Sequence, residues 1–166
     1  MGFYGKSRRV VTEGGIMNLF NRSKKNIDDD PVEEAWKSQD LKKMLKALKW
    51  KAKKPLSRHF LLLYIVKNTF TKRKESKKMA QLCEETAQTH LFELDQYIPL
   101  LKELFGQLPN IQTHHYLATL FSESHQYDLA IQVCLKAMAM GIPPGKGGSY
   151  KDRISVFEAA KQNLIH

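Results

Sequence analysis

Cysteine is scarce in this sequence, and long hydrophobic runs are missing from it. The 166 residues include two cysteines, Cys83 and Cys134, which lie far apart in separate helical patterns. Isolated thiols of this kind are typical of buried side chains in a reducing compartment, and a disulfide or metal site is the less favoured alternative. The longest apolar run, Phe60 to Val66, is too short to cross a membrane, and no signal peptide opens the chain. We therefore predict a cytoplasmic protein.

Acidic residues are almost absent from one stretch of the chain. Residues 37–78 contain 15 Lys or Arg and 2 Asp or Glu, a net charge of +13, whereas residues 1–36 carry no net charge and residues 79–166 carry −3. A basic block on a nearly neutral body predicts an anionic partner more firmly than uniform basicity would. The plainer alternative is a solvated face that only confers solubility.

The alternating pattern of β-strands is also missing, so no sheet is expected. Helix signals follow one another from Asp30 onward, and residues 31–166 are predicted to form one all-α domain of about eight helices. The predicted helices are a short one capped by Asp30, then Ser38–Lys54, one capped by Ser57, Ser76 to about Leu91, Asp95 or Pro99 to Gly106, one capped by Asn110, one between Gln126 and Gly141, and Tyr150 to about Leu164.

Residues 1–30 are polar and unpatterned, which predicts a disordered N-terminal segment. Within it, codons for Glu13-Gly14-Gly15 can resemble a bacterial ribosome-binding site just before Met17. We therefore expect that residues 1–16 are translated leader and that Met17 is the functional start. Mass spectrometry of the N-terminus of the natural protein tests this expectation.

The stretch from Ile111 to Pro143 has the pattern of two closely packed helices. Small and large side chains recur at helical spacing, so the backbones approach closely while the large side chains fill the space between them. The small residues are Ala118, Ala130 and Ala137, and the large ones are Leu117, Phe121 and Tyr127. This pattern resembles a tetratricopeptide repeat, a helix–turn–helix unit of about 34 residues. His114 stands where the family usually has tryptophan, and Pro143 stands near its closing proline.

Two upstream units match the repeat less well, so the resemblance covers about residues 42–166. The predicted fourth and fifth helices form one unit, with Ala80, Cys83 and Ala87 in small-residue positions, and the second and third helices form the other. The eighth helix is then a terminal half-repeat. The resemblance implies antiparallel helix pairs stacked as a short right-handed superhelix, and an ordinary helical bundle is the competing interpretation.

The predicted helix Ser38–Lys54 has a complete apolar stripe with a tryptophan on the opposite side. Leu41, Met44, Leu45, Leu48 and Ala52 share one face at 100° per residue. Trp50 falls almost opposite them, beside several lysines. Either Trp50 faces a ligand, or it is buried against the helix that contains Trp36 or against residues 17–30.

The resemblance selects a ligand-binding surface, because the first helix of each tetratricopeptide pair lines the concave side of the array. In the best repeat, the positions on the exposed side of the first helix line this surface. The same positions in the first helix of each pair select Lys43, Lys46, Trp50, Lys53, Lys78, Gln81, His115 and Thr119. Lysines can bind carboxylates, and an exposed indole offers a large, rigid contact area. The resemblance therefore implies a non-enzymatic adaptor that binds an acidic segment or a C-terminal carboxylate of another protein, with no cofactor.

Two other partners are left open by the basic block. Lysines with one stacking tryptophan also suit weak, salt-sensitive binding of nucleic acid, although the block contains only two arginines, Arg58 and Arg73. Attachment to an anionic membrane is less favoured, since the apolar stripe of Ser38–Lys54 is needed in the core.

Motifs for catalysis or metal binding are not found in the sequence. The stretch Gly141 to Gly147 is one residue short of a phosphate-binding loop and lacks its Ser or Thr. His114 and His115 point to different faces of a helix and have no further ligands at zinc spacing. We therefore predict neither catalytic residues nor a metal site.

Overall fold

The structure, a computed structural model, describes residues 29–166. This part of the chain forms seven α-helices and no β-strand, so the predicted all-α class is confirmed. The helices are α1 (Pro31–Lys37), α2 (Leu41–Ala47), α3 (Ser57–Thr71), α4 (Lys77–Phe105), α5 (Thr113–Glu123), α6 (Tyr127–Ala139) and α7 (Tyr150–Ile165). Helices adjacent in sequence pack against each other throughout, and α3 also contacts α1 and α5. The disorder and leader predicted for the N-terminus concern residues that lie almost wholly outside the described range.

Three of the predicted helix caps are confirmed by hydrogen bonds. The carboxylate of Asp30 accepts from the backbone N–H of Val32 at 3.0 Å, and Pro31 follows at the first helical position. The hydroxyls of Ser76 and Ser149 accept from backbone N–H groups three residues later. Each cap satisfies an amide that the first turn of a helix leaves without a partner.

The caps predicted at Ser57 and Asn110 are wrong. Ser57 is the first residue of α3, and the residue before it makes no side-chain cap. Asn110 lies outside α5, which begins at Thr113. The reason is that Ile111, which is 1 % exposed, first turns into the core, so the helix can begin only after it.

The fourth and fifth predicted helices are in fact one helix, α4, of 29 residues. Its buried side chains keep helical spacing across the predicted break, from Cys83 and Ala87 through Leu94 to Leu101. Pro99 lies on the exposed side, so the hydrogen bond that it cannot donate is missing where water reaches the backbone. The helix ends at Gly106, whose φ of 76° is left-handed. Continuous packing therefore overrides the local helix-break signal, and the two-helix unit predicted here is wrong.

Two apolar clusters form the core, and α3 contributes to both. The N-terminal core contains Val32, Ala35, Trp36, Met44, Ala47, Phe60, Leu61 and Ile65. The larger C-terminal core extends from Val66 through α4, α5 and α6 to Phe157 of α7. Both cysteines are free and buried in the C-terminal core, as the sequence predicts.

A chain of buried polar side chains crosses three helices at the centre of the molecule. Nε2 of His90 lies 2.9 Å from Nδ1 of His59, and Nδ1 of His90 lies 2.8 Å from the hydroxyl of Thr113. All three side chains are buried. Burial lowers the pKa of His59 to about 4, and burial together with the charge of His59 lowers the pKa of His90. The chain therefore joins α3, α4 and α5 through neutral imidazoles.

Candidate binding surface

Helix α2 presents its apolar stripe to the N-terminal core and its lysines to solvent. Met44 and Ala47 are fully buried, and Leu41, Leu45 and Leu48 pack against the same core. Helix α2 runs from Leu41 to Ala47, so the predicted bounds of Ser38 and Lys54 are wrong. The residues of the predicted stripe do pack against this core, but Leu48 and Ala52 lie beyond the helix. Lysines three and four residues apart repel each other in a helix, which weakens the segment after Ala47.

Asp30 holds the segment after α2 in a non-helical conformation. One carboxylate oxygen of Asp30 accepts from the backbone N–H groups of Lys53, at 3.1 Å, and Lys54, at 2.9 Å. In a continued helix these amides would donate to carbonyls four residues earlier. Burial raises the pKa of Asp30, but hydrogen bonds from Lys54, Ser57, Val32 and Lys53 outweigh that effect, so the pKa is lowered. A single carboxylate therefore both caps α1 and fixes the loop between α2 and α3.

Arg58 fixes the other end of that loop. Its guanidinium binds both carboxylate oxygens of Glu93 in α4, and it also donates to the backbone carbonyl of Leu48 at 3.3 Å. The hydrogen bond with Glu93 raises the pKa of Arg58, although burial opposes it. The loop of residues 48–56 is thus anchored to α1 at one end and to α3 and α4 at the other.

Trp50 lies on the surface of this anchored loop. Its side chain is 45 % exposed, whereas Trp36 is 1 % exposed and fills the N-terminal core. The ring of Trp36 packs against Phe60 and stacks on Tyr64 at 5.6 Å. Within residues 29–166, Trp50 therefore lies outside the N-terminal core that contains Trp36. The alternative that Trp50 packs against residues 17–30 lies almost wholly outside the described residues.

The lysines around Trp50 have no carboxylate partner within residues 29–166. We define the lysine surface as Trp50 together with the six exposed lysines Lys42, Lys43, Lys46, Lys49, Lys51 and Lys53. Lys37 and Lys54 flank it and differ from it, because both form salt bridges with Glu33. Three of the predicted site lysines and Trp50 thus lie between residues 43 and 53, and none of these lysines has a salt-bridge partner in the described residues.

Lys78 and Gln81 are exposed in the first turns of α4. The side-chain amide of Gln81 donates to Glu85 at 2.8 Å. Helix α3 packs against both α2 and α4. These two residues therefore belong to a different helix from the lysine surface, with α3 as their shared neighbour.

His115 and Thr119 are half-buried beneath a side chain that the sequence analysis did not select. Arg153 of α7 donates from Nη1 to Nδ1 of His115 at 2.6 Å and to its carbonyl at 3.1 Å, and from Nη2 to the hydroxyl of Thr119 at 2.8 Å. Burial lowers the pKa of both His115 and Arg153, and for His115 the charge of Arg153 adds to the effect. The sequence offered one signal for this residue, since Arg153 is the last arginine of the chain and stands alone between Arg73 and the C-terminus.

The glycine-rich loop before α7 packs directly onto His115. A Cβ atom at Gly147 would lie 2.0 Å from Cε1 of the His115 ring, so the close approach requires glycine. The loop and α7 together enclose the polar side of α5.

A shallow hollow of about 490 Å³ lies between α1, the start of α3 and the end of α4. Its walls include Leu56, Phe60, Leu100 and Leu104, with Lys54 and Glu103 among its polar lining residues. No predicted site residue lines it.

In residues 29–166, no three His, Cys, Asp or Glu side chains are grouped so that they could hold a metal ion. Over the same range, no helix combines the length and the apolar character that crossing a membrane requires. Comparison of this chain with known protein families, curated proteins and solved structures finds no match.

Proposed function

We propose that this protein is a non-enzymatic adaptor whose lysine surface binds an acidic segment or the C-terminal carboxylate of another protein. The observation that carries the proposal is that six exposed lysines between residues 42 and 53, without salt-bridge partners in residues 29–166, share one short segment with the exposed Trp50. Carboxylates of a partner would compensate that charge, and the indole would supply apolar contact area. Charge complementarity of this kind favours fast, selective association, and a buried tryptophan often dominates affinity.

We further propose that the helices stack as a short right-handed superhelix of the tetratricopeptide type, with α5 and α6 as its clearest repeat. Ala118, Ala130 and Ala137, which occupy the small-residue positions, are fully buried, as close helix packing requires. Helix α7 packs on α6 in the place of a terminal half-repeat. The long helix α4 replaces the preceding pair, so the proposal rests on α5, α6 and α7. The free buried thiols support a reducing compartment, and we place the adaptor in the cytoplasm.

Nucleic-acid binding is the second candidate, favoured by the same lysines and the stackable indole. Tight, base-specific binding of nucleic acid is less favoured, because both arginines of the basic block already form salt bridges with glutamates. Arg58 binds Glu93, and Arg73 binds Glu123 while its guanidinium lies 3.9 Å from the centre of the Phe70 ring. Base-reading surfaces rely on arginine, so only weak, sequence-tolerant binding through lysines would remain.

Fluorescence of Trp50 separates these candidates. An acetylated peptide of eight aspartates and glutamates and a single-stranded oligonucleotide of the same charge are titrated into the full-length protein, and the signal of the Trp50→Phe variant is subtracted. We expect the peptide to shift Trp50 emission and to bind more tightly than the oligonucleotide. The triple change of Lys43, Lys46 and Lys53 to Gln should abolish binding.

A matched triple change of Lys67, Lys102 and Lys151 to Gln removes the same charge from other exposed positions and controls for net charge. Equal losses of peptide affinity in the two triple variants would show that the lysine surface is only a solvated face and not a binding site. Tighter, steeply salt-dependent binding of the oligonucleotide would establish the second candidate in place of the first.

A further inference from the structure

Two of the three arginines in residues 29–166 use the same edge of the guanidinium to bind a carboxylate. Arg58 donates to Glu93 from Nε and from Nη2, each at 2.8 Å. Arg73 donates to Glu123 from Nε at 2.9 Å and from Nη2 at 2.7 Å. This side-on geometry matches the two oxygens of a planar carboxylate. The protein thus contains two internal examples of the pairing.

Arg153 is the third arginine, and its corresponding edge carries no carboxylate in the described part of the chain. Its Nη1 group is occupied by His115, and one hydrogen of Nη2 is taken by Thr119. Nε has no hydrogen-bond partner there, and the side chain of Arg153 is only partly buried. The Nε and Nη2 edge therefore retains two N–H groups that can donate outward.

The surroundings hold this guanidinium in one position. The hydroxyl of Thr119 donates to the carbonyl of His115 at 2.9 Å, which leaves its oxygen lone pairs for Arg153. The guanidinium carbon also lies 5.2 Å from the centre of the Phe157 ring. A fixed donor loses little entropy when a ligand binds, so the open edge is preorganised.

The charge of Arg153 also has no salt-bridge partner among residues 29–166. A half-buried cation without a counter-ion costs stability, and two better-paired arginines in the same protein demonstrate the usual solution. A ligand carboxylate would restore the missing partner.

We propose that the Nε and Nη2 edge of Arg153 binds a carboxylate group of the partner peptide, with Thr119 and His115 as positioning residues. This inference rests on the proposed function for the kind of partner, but its site is separate from the lysine surface. A carboxylate is the assigned ligand because Glu93 and Glu123 occupy the equivalent edge of Arg58 and Arg73. Inorganic phosphate has related geometry and serves as the competing probe.

The test observes arginine Nε–H resonances of the full-length, ¹⁵N-labelled protein by nuclear magnetic resonance. The Arg153→Lys variant identifies the resonance of Arg153, and the resonances of Arg58 and Arg73 are internal controls. The probes are acetylated tetra-aspartate with a free C-terminus, the same peptide with an amidated C-terminus, and sodium phosphate. We expect the peptides to shift the Arg153 resonance and to slow its exchange with water, while the two paired arginines stay unchanged.

Affinity provides the second readout. Arg153→Lys keeps the charge but removes the side-on edge, so peptide affinity should fall about ten- to a hundredfold, the loss expected for a hydrogen bond to a charged group. A purely structural role of Arg153 would lower the melting temperature and leave the affinity of the folded variant unchanged. That result would overturn the proposal, even where exchange hides the Nε–H resonance.

The two proposals can fail separately. A peptide that changes Trp50 emission without affecting Arg153 would refute the carboxylate site and leave the adaptor function standing. A peptide that affects Arg153 but not Trp50 would place binding at α7 and refute the role of the lysine surface. Phosphate that shifts Arg153 at lower concentration than either peptide would overturn the assignment of a carboxylate.

Discussion

Helices α1 to α3 enclose a small core beneath a strongly charged surface, whereas α4 to α7 complete a larger core beneath a nearly neutral one. In the first region, buried or partly buried carboxylates hold the backbone and the lysines in place, namely Asp30 and Glu33. In the second region, close apolar packing holds the helices together, and neutral imidazoles of His59 and His90 join α3 to α4. The difference teaches that the surface with uncompensated charge depends on a few polar contacts at its edge.

Acidification should produce the largest effect, and it should act through the buried histidines. Burial lowers the pKa of His59 and of His114 to about 4, against about 6.5 in the unfolded chain. A lowered histidine pKa means that the unfolded state binds protons first, so stability is full above pH 6.5 and falls as the pH drops toward 4. The free energy of unfolding should decrease by about 2 kcal/mol for each of these histidines at pH 5.

Urea unfolding between pH 7.5 and pH 5 measures this dependence. His114→Phe should remove the contribution of His114, about 2 kcal/mol at pH 5, because His114 is fully buried and neither of its ring nitrogens has a partner in the described residues. A flat profile in the wild-type protein would show that the buried imidazoles accept protons without loss of the fold.

Truncation of the larger core should rank second. Leu94 is fully buried in the middle of α4, so Leu94→Ala should lower the free energy of unfolding by about 3 kcal/mol. Trp36 emission reports on the N-terminal core, and circular dichroism reports on all helices. Coincident transitions would show that the two regions unfold together, whereas an unchanged Trp36 transition would separate them.

Removal of the carboxylate that anchors the lysine-bearing loop should rank third. Asp30→Ala leaves three backbone amides without their acceptor, which should lower the free energy of unfolding by about 2 to 3 kcal/mol. Asp40 also caps a helix, but it is exposed and contacts only neighbouring amides. Asp40→Ala should therefore cost about 1 kcal/mol, and an equal loss in both variants would contradict the anchoring role of Asp30.

Replacement of the proline inside α4 should have a smaller effect of opposite sign. Pro99 is exposed and cannot donate a backbone hydrogen bond within the helix. Pro99→Ala restores that bond and should raise the free energy of unfolding by about 1 kcal/mol, measured by thermal or urea unfolding. Destabilisation would indicate that the proline shape itself is required for packing.

The smallest effect is expected at the exposed tryptophan, Trp50. Trp50→Phe changes a side chain outside both cores, so the free energy of unfolding should change by less than about 0.5 kcal/mol. Trp36→Phe is the matched comparison in the N-terminal core and should lower the free energy of unfolding several times more. A large loss at Trp50 would show that the indole stabilises the loop and would weaken the case for a ligand.

Local signals in the sequence predicted the parts of this fold that depend on near neighbours. The caps at Asp30, Ser76 and Ser149 and the apolar stripe of α2 all involve residues within a few positions of each other. The helix end at Ala47 could not be predicted in this way, because the acceptor that holds Lys53 and Lys54 lies more than 20 positions earlier. The continuity of α4 likewise depends on side chains from other helices that pack against its buried face, and these are distant in sequence.

The candidate site, like the fold, could be predicted from the sequence only in part. Helical periodicity placed Lys43 and Lys46 of α2 on an exposed face, and they are exposed. Trp50 and Lys53 are also exposed, but they lie beyond the end of α2, so the helical pattern that selected them does not account for their exposure. The contact between Arg153 and His115 joins residues 38 positions apart, so no local pattern could reveal it. The sequence could select two members of that cluster, His115 and Thr119, without the residue that binds both.

The uninterrupted helix α4 also fixes the distance between two parts of the protein surface. At 1.5 Å per residue, the part of α4 from Lys78 to Leu104, which lines the hollow, spans about 39 Å. An extended peptide advances about 3.3 Å per residue, so it would need about 12 residues to bridge the two ends. Ligand length alone can therefore report whether one partner reaches both.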